Sequence, residues 1–323
     1  VLPSGALLID KPVGVTSSDV VSKLKWNLTR FEYAPKGFRI GHGGTLDPFA
    51  TGALVVFIGE GTKLADTYLH SVKTYDGIIS LGTQTDSGDL TGEIKAQASV
   101  PEITESAWQT LADSFVENPY QQTPPMFSAK KKDGTPLYEL AREGIEIERE
   151  SILKKIHTFK IKKTSDAHEL FFEVKCESGT YVRVIASDLA EKASTLAHLK
   201  TLRRTQTSDV DLSACMSLAE AVALIETKTP LQSFKNFRTL ANLASHISEI
   251  SIDLTTTEFL FQGRSQETLR LGLLCQEKFS EARYVIAKYE GIPVALFENL
   301  KGRSTFRLQR IFNEARTVTD FTR

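Results

Sequence analysis

Residues 41–52 read GHGGTLDPFATG, and no other stretch restricts this chain so strongly. Four glycines and a proline in twelve residues cannot continue a helix or a regular strand. Glycine admits positive φ and lets another backbone approach closely. Pro48 fixes its own φ and biases Asp47 toward an extended conformation. The segment must therefore be an irregular loop built around one carboxylate. Taken by itself, Asp47 reads as an ordinary turn-former, so the rest of the chain has to decide what the carboxylate is for.

The flanks give the loop its setting. "ALLID" (6–10) predicts a short buried strand, and Ser17 or Ser18 after it can cap a helix with apolar residues Val20, Val21, Leu24 and Leu28. "ALVVFIG" (53–59) and "KTYDGIISLG" (73–82) predict strands, with "TKLADTYLH" a helix between them. Thr104 can cap a helix through "ESAWQTLADSF". "HELFFEVKCESGTYVRV" reads as two strands joined by a turn at Ser178-Gly179, ahead of a helix over 185–194. "SLAEAVALIE" predicts a further capped helix, and "TKTPLQSFKNF" a linker. Strands and helices mix without regular alternation, so the expected class is α+β with a central, mostly antiparallel mixed sheet flanked by helices. The expected domains are 1–230 and a small β-rich domain over 240–323.

Composition narrows the function. A 323-residue chain with 41% hydrophobic and 24% charged residues can bury a full core. No apolar run reaches the ~18–20 residues of a membrane span. The first residues, "VLPSGALLIDKP", lack the basic region and long apolar stretch of a signal peptide. Cys176, Cys215 and Cys275 show no CxxC or zinc spacing. The expectation is a cytoplasmic protein with no membrane partner.

Net charge is −1, yet cations cluster. "SILKKIHTFKIKK" (151–163) holds five lysines and no acid. Lys130, Lys131 and Lys132 stand together, as do Lys200, Arg203 and Arg204. Each cluster reads singly as a solvated face or strand edge; three of them suit a polyanionic partner. Gly59-Glu60-Gly61 follows a strand, but Leu64 stands where a dinucleotide fingerprint needs its third glycine. The six histidines form no HxxxH or HExxH. No cofactor and no metal are expected, which points to chemistry that side chains alone can perform.

Three distant units become informative together: Asp47 in its loop, Tyr75 in "KTY", and Arg183 in "SGTYVRVIASDL". With them the chain resembles the TruB family of pseudouridine synthases. The loop matches "GHxGTLDPxATG". Asp10–Ser17 matches "DKPxGxTS", "TQTDSGDLTGE" matches "TDTxDxxGE", and "PPMFSAKKKDGTPLYELAREG" and "AHLKTLRRTQT" find their counterparts in order between about residues 5 and 225. The pattern departs at Leu196, where a glycine is expected, and after Thr205; "YAPKGF", before the loop, has no counterpart.

The resemblance implies a pseudouridine synthase fold, isomerisation of uridine to pseudouridine in the T-arm of tRNA at position 55, and action as a monomer without cofactor. It implies Asp47 as catalytic carboxylate, with Arg183 opposite it to lower its pKa. Tyr75 and Leu202 would pack on the target base, and His42 would help hold it flipped out. Lys11, Pro12, Gly43, Gly44 and Thr45 would support the loop, while Lys130, Lys131, Lys132, Arg203 and Arg204 would meet RNA phosphates. The C-terminal domain loosely resembles the PUA type of RNA-binding barrel. The alternatives are a guide-RNA-dependent, dyskerin-like synthase and an RNA chaperone without catalysis.

Overall fold

The structure, a computed structural model, describes residues 3–128, 131–132, 134–300, 305–314 and 316. Its frame is a ten-stranded mixed sheet. Strand β1 (Gly5–Lys11) buries every residue but Asp10, and β3 (Thr51–Ile58) is almost as fully buried. Such continuous apolar runs suit the middle of a sheet covered on both faces. Between them in sequence lies the three-residue strand β2 (Ile40–His42), and β4 (Lys73–Leu81) alternates buried and half-buried residues along its length.

The spatial order is Ile156–Lys163, Glu169–Cys176, β4, Ala197–Thr207, β3, β1, Met216–Ser217. Most neighbours are antiparallel, as expected. Two are parallel: Arg203 and Arg204 pair with Thr51 and Gly52, and Ile9 with Met216. The outer edge strand, Ile156–Lys163, is guarded by helix Glu105–Glu117. Gln109 bonds both Phe159 O and the Ile161 amide, and Glu105 takes the Lys163 amide.

Helix α1 (Ser17–Arg30) begins one residue earlier than its predicted caps allow. Thr16 is the cap, in a reciprocal box with Asp19. Its Val20, Leu24 and Leu28 are fully buried against Leu7, Ile9, Leu54 and Val56, each contributing roughly 1.5–3 kcal/mol. Leu24→Ala would cost about 2–5 kcal/mol. Helix Leu218–Glu226, boxed by Ser217 and Glu220, packs into the same layer.

Three expectations change. Ser178-Gly179 does not close a hairpin: the chain passes into helix Val182–Lys192, so Arg183 sits in its first turn, not at a strand end. The 227–237 segment is packed instead of hanging free. Leu231, Phe234 and Asn236 are buried; the Asn236 side-chain amide donates to Leu8 O, and its backbone carbonyl accepts the Leu8 amide. Strand Phe237–Thr239 then joins β1 antiparallel. Beyond it, a four-stranded sheet carries two helices, Leu254–Phe261 and Ser265–Lys278, that the β-rich reading did not anticipate. Leu240, Leu243, Ile286, Leu296 and Phe312 share one core with Leu8, Val55, Phe57 and Tyr68 of the first domain.

Candidate active site

The glycine-rich segment leaves β2 at His42 and re-enters the sheet at Thr51, so Asp47 lies on a loop pinned at both ends to β3. Its glycines make close contacts inside the protein. A Cβ at Gly43 would lie 2.7 Å from the Phe57 ring and 2.8 Å from Tyr68 Cβ. At Gly52, with φ +110°, it would lie 2.3 Å from Arg204 O, where the two parallel strands meet.

Two buried cations bolt the loop from either side of Asp47. Lys11 is fully buried and donates to Pro12 O (2.9 Å), Val15 O (2.7 Å) and, just past the aspartate, Pro48 O (3.4 Å). Arg204 works from the other side. Its Nε donates to Ala53 O (2.8 Å), Nη2 to Gly44 O (3.2 Å) and Nη1 to Thr45 O (3.3 Å). Ser17 Oγ accepts the Leu46 amide at 2.8 Å, and the Gly14 amide reaches Pro48 O at 2.8 Å. The "DKPVGVTS" turn and the Asp47 loop are therefore one hydrogen-bonded unit.

Above this unit, Arg183 meets Asp47: Nε lies 2.9 Å from Oδ2. Arg183 is itself buried, its Nη1 donating to Ser87 O (2.5 Å) and Nη2 to Phe127 O (2.8 Å). Its Nη1 also stands 3.9 Å from Asp89 Oδ2. Asp89 lies in the turn that follows strand Thr83–Thr85. It is buried, and its Oδ1 accepts from Ser87 Oγ, the Thr91 amide and Thr91 Oγ1. One guanidinium thus bridges two carboxylates and two carbonyls, which fixes its plane and the angle it offers Asp47.

The electrostatics differ from the expectation. Burial pushes the Asp47 carboxyl above its ordinary value. Arg183 pulls it down, Asp89 pushes it up again, and Lys11 helps lower it. The side chain keeps 36% of its surface exposed, yet burial by the surrounding protein outweighs the guanidinium. Burial likewise lowers Lys11 to about 8, opposed by Asp47 and reinforced by Arg204. Lys73, donating to Tyr68 O, Leu69 O and Ser71 O, is lowered to about 7 by burial and by Arg204.

Tyr75 and Leu202 join Leu46, Phe49 and Ala50 in one buried cluster beside Asp47. Tyr75 lies opposite Arg204 across the strand pair. Burial raises its phenol pKa, with the Arg204 guanidinium opposing. His42 sits on β2 opposite Val56; burial lowers its pKa, and its buried Nδ1 has no hydrogen-bond partner among the described residues.

The expected phosphate contacts divide. Arg204 is 2% exposed and holds three loop carbonyls, so it has no surface to offer a phosphate. Arg203 is half-exposed and pairs with Asp10 at 2.7 Å. Lys130 and the side chains of Lys131 and Lys132 lie outside the described residues.

A family model described as TruB family pseudouridylate synthase (N terminal domain) matches residues 30–182. The tRNA pseudouridine synthase B of Opitutus terrae is 42% identical over 221 residues, covering 68% of this chain and 88% of that protein. The one from Bordetella avium is 39% identical over 230 residues, covering 70% and 90%. The one from Psychrobacter cryohalolentis is 43% identical over 224 residues, and there the chain spans only 60% of the relative's length. Among solved structures, a Cbf5-Nop10-Gar1 complex aligns over 95% of this chain and 84% of that one, with TM-score 0.68 and 19% identity. At that identity the likeness is one of fold, and it extends through the C-terminal sheet.

Proposed function

This chain belongs to the TruB family of pseudouridylate synthases, and on that premise we propose that it isomerises uridine-55 in the T-loop of tRNA to pseudouridine. The observation that carries the reading is the Arg183–Asp47 pair at 2.9 Å, set beside the buried cluster that holds Tyr75 and Leu202. A carboxylate facing anionic RNA is a liability for a mere binding module. Paired and aimed, it is what glycosidic bond cleavage requires.

In this reading the uridine is flipped out of the T-loop and its uracil stacks on Tyr75, with Leu202 beneath. Ionised Asp47 acts at the ribose, as nucleophile or as the base that starts glycal formation. The N-glycosidic bond breaks with its electron pair leaving on uracil. The base turns, C5 bonds to the sugar carbon, and the C5 proton is lost. To take that proton Tyr75 must already be a phenolate; burial disfavours that form, and the Arg204 guanidinium opposite it favours it. No step consumes an oxidant or reductant. Among the described residues no helix is long and apolar enough to cross a membrane. Action on tRNA as a cytoplasmic monomer is part of the proposal.

The test is Asp47→Ala mixed with a T-arm stem-loop. RNA binding should persist while pseudouridine formation disappears, and measurable turnover by the variant would sink the assignment. Wild-type protein inactive on tRNA alone, yet active with a guide RNA and partner proteins, would favour the guide-dependent alternative.

A further inference from the structure

The outer face of α1 and the segment after it carry a feature that the active site does not use. Ser22, Lys25, Trp26, Thr29, Arg30 and Lys36 line a shallow open cavity of about 430 Å³. Trp26 is 55% exposed, an unusual place for an indole on a soluble surface. Arg30 stacks over it, its guanidinium carbon 4.7 Å from the ring centroid. Among the described residues no carboxylate pairs with Lys25, Arg30 or Lys36. Asp19 on the same helix is spent on its Thr16 cap, and Glu32 pairs with Lys228. The face thus offers three uncompensated positive charges around one exposed ring.

Its position is tied to the catalytic loop at both ends. α1 starts at Ser17, which holds the Leu46 amide, and the chain beyond Lys36 runs through β2 into Gly43. At about 1.5 Å per residue, Trp26 lies about 14 Å along α1 from Ser17, a few nucleotides' reach from Asp47. Lys36 belongs to "YAPKGF", the segment that has no counterpart in the family's pattern.

We propose that this face is an accessory RNA site, in which Lys25, Arg30 and Lys36 hold backbone phosphates of the substrate beyond the target nucleotide and Trp26 stacks on an unpaired base. It rests on the reading that the substrate is RNA. Cations set around a ring are the combination that binds single-stranded nucleic acid without reading its sequence: phosphates meet the charges and any base can meet the ring.

The experiment uses the full chain and unmodified tRNA transcript. The chain has two tryptophans, and Trp108 is 1% exposed, so Trp26 is the one RNA can reach. Wild-type emission should be quenched on RNA binding, and Trp26→Leu should abolish that quench while Trp108 emission reports an intact fold. The triple variant K25E/R30E/K36E should lose about tenfold in affinity near physiological salt, and its log K against log salt slope should flatten by about two to three. Its kcat at saturating RNA should match wild type. An unchanged slope and affinity in the triple variant, or an unchanged quench in Trp26→Leu, would overturn the proposal. Equal binding of poly-glutamate without quenching would instead assign the face to an acidic protein and likewise overturn it. Wild-type protein that is quenched by tRNA but makes no pseudouridine would count against the proposed reaction and leave this face standing. Turnover by wild type with an unchanged triple variant would do the reverse.

Discussion

The floor of the catalytic loop and the outer edge of the sheet are both built with cations, and they use them in opposite ways. Under the loop, Lys11, Lys73 and Arg204 are buried, and their charged groups donate chiefly to backbone carbonyls, with Lys73 also reaching Ser71 Oγ. At the edge, Lys160 faces Glu173 on the neighbouring strand at 3.3 Å. A buried cation pays for its desolvation only by satisfying several strong acceptors, so it fixes backbone geometry. An exposed pair is screened by water and fixes little. Residue type says nothing about which of these a lysine or arginine will do; burial and partner do.

Four substitutions probe that contrast, beginning with the most damaging. Gly52→Ala forces a side chain into Arg204 O at a positive φ. We expect a loss of more than about 4 kcal/mol in chemical denaturation, with the insoluble or inactive protein that such a loss implies. A mild effect would mean the two strands can part without cost. Arg204→Met should leave Gly44, Thr45 and Ala53 carbonyls without their donor, at about 1–3 kcal/mol for each group left unsatisfied. Because the loop that carries Asp47 loosens, kcat should fall about 100-fold with KM for RNA little changed. A rise in KM alone would return Arg204 to the role of phosphate contact.

Asp89→Asn tests the roof of the site. Asp89 opposes ionisation of Asp47. With Asp47 as the proposed catalytic carboxylate, activity should fall as pH drops through its pKa, which burial places above the ordinary carboxylate range. Removing the Asp89 charge should shift the acid limb of kcat/KM to lower pH; a shift upward would show that Asp89 acts mainly by holding Arg183. Lys160→Ala, at the exposed edge, should change stability by no more than about 0.5 kcal/mol and leave turnover unaltered. A larger change there would erase the distinction between floor and edge.

Much of the site was legible, and the misses have physical causes. Asp47, Tyr75 and Arg183 lie far apart in sequence, and the resemblance named them before the structure placed Arg183 against Asp47. The central sheet followed from apolar runs such as those of β1 and β3. Arg183's helix was mistaken for a strand because Ser178-Gly179 serves a strand-to-helix turn as readily as a hairpin. Arg204 was misjudged although local alternation held the clue: Leu202 and Arg204, two residues apart, are both buried with half-buried Arg203 between them. Bulges between Leu199 and Thr201 and between Arg204 and Gln206 obscured the count. Asp89 sits in a turn with no pattern of its own, and that its second oxygen faces Arg183 is set only by the fold.

The ten-stranded sheet is continuous only because Arg203 and Arg204 run beside Thr51 and Gly52. On one side of that two-residue contact stand β4 and the outer strands, and on the other stand β3 and β1. Mechanically the domain is two plates welded at a spot, and the catalytic loop springs from the weld. A displacement of one plate is passed to the other in part through the strand ends from which the loop of Asp47 springs.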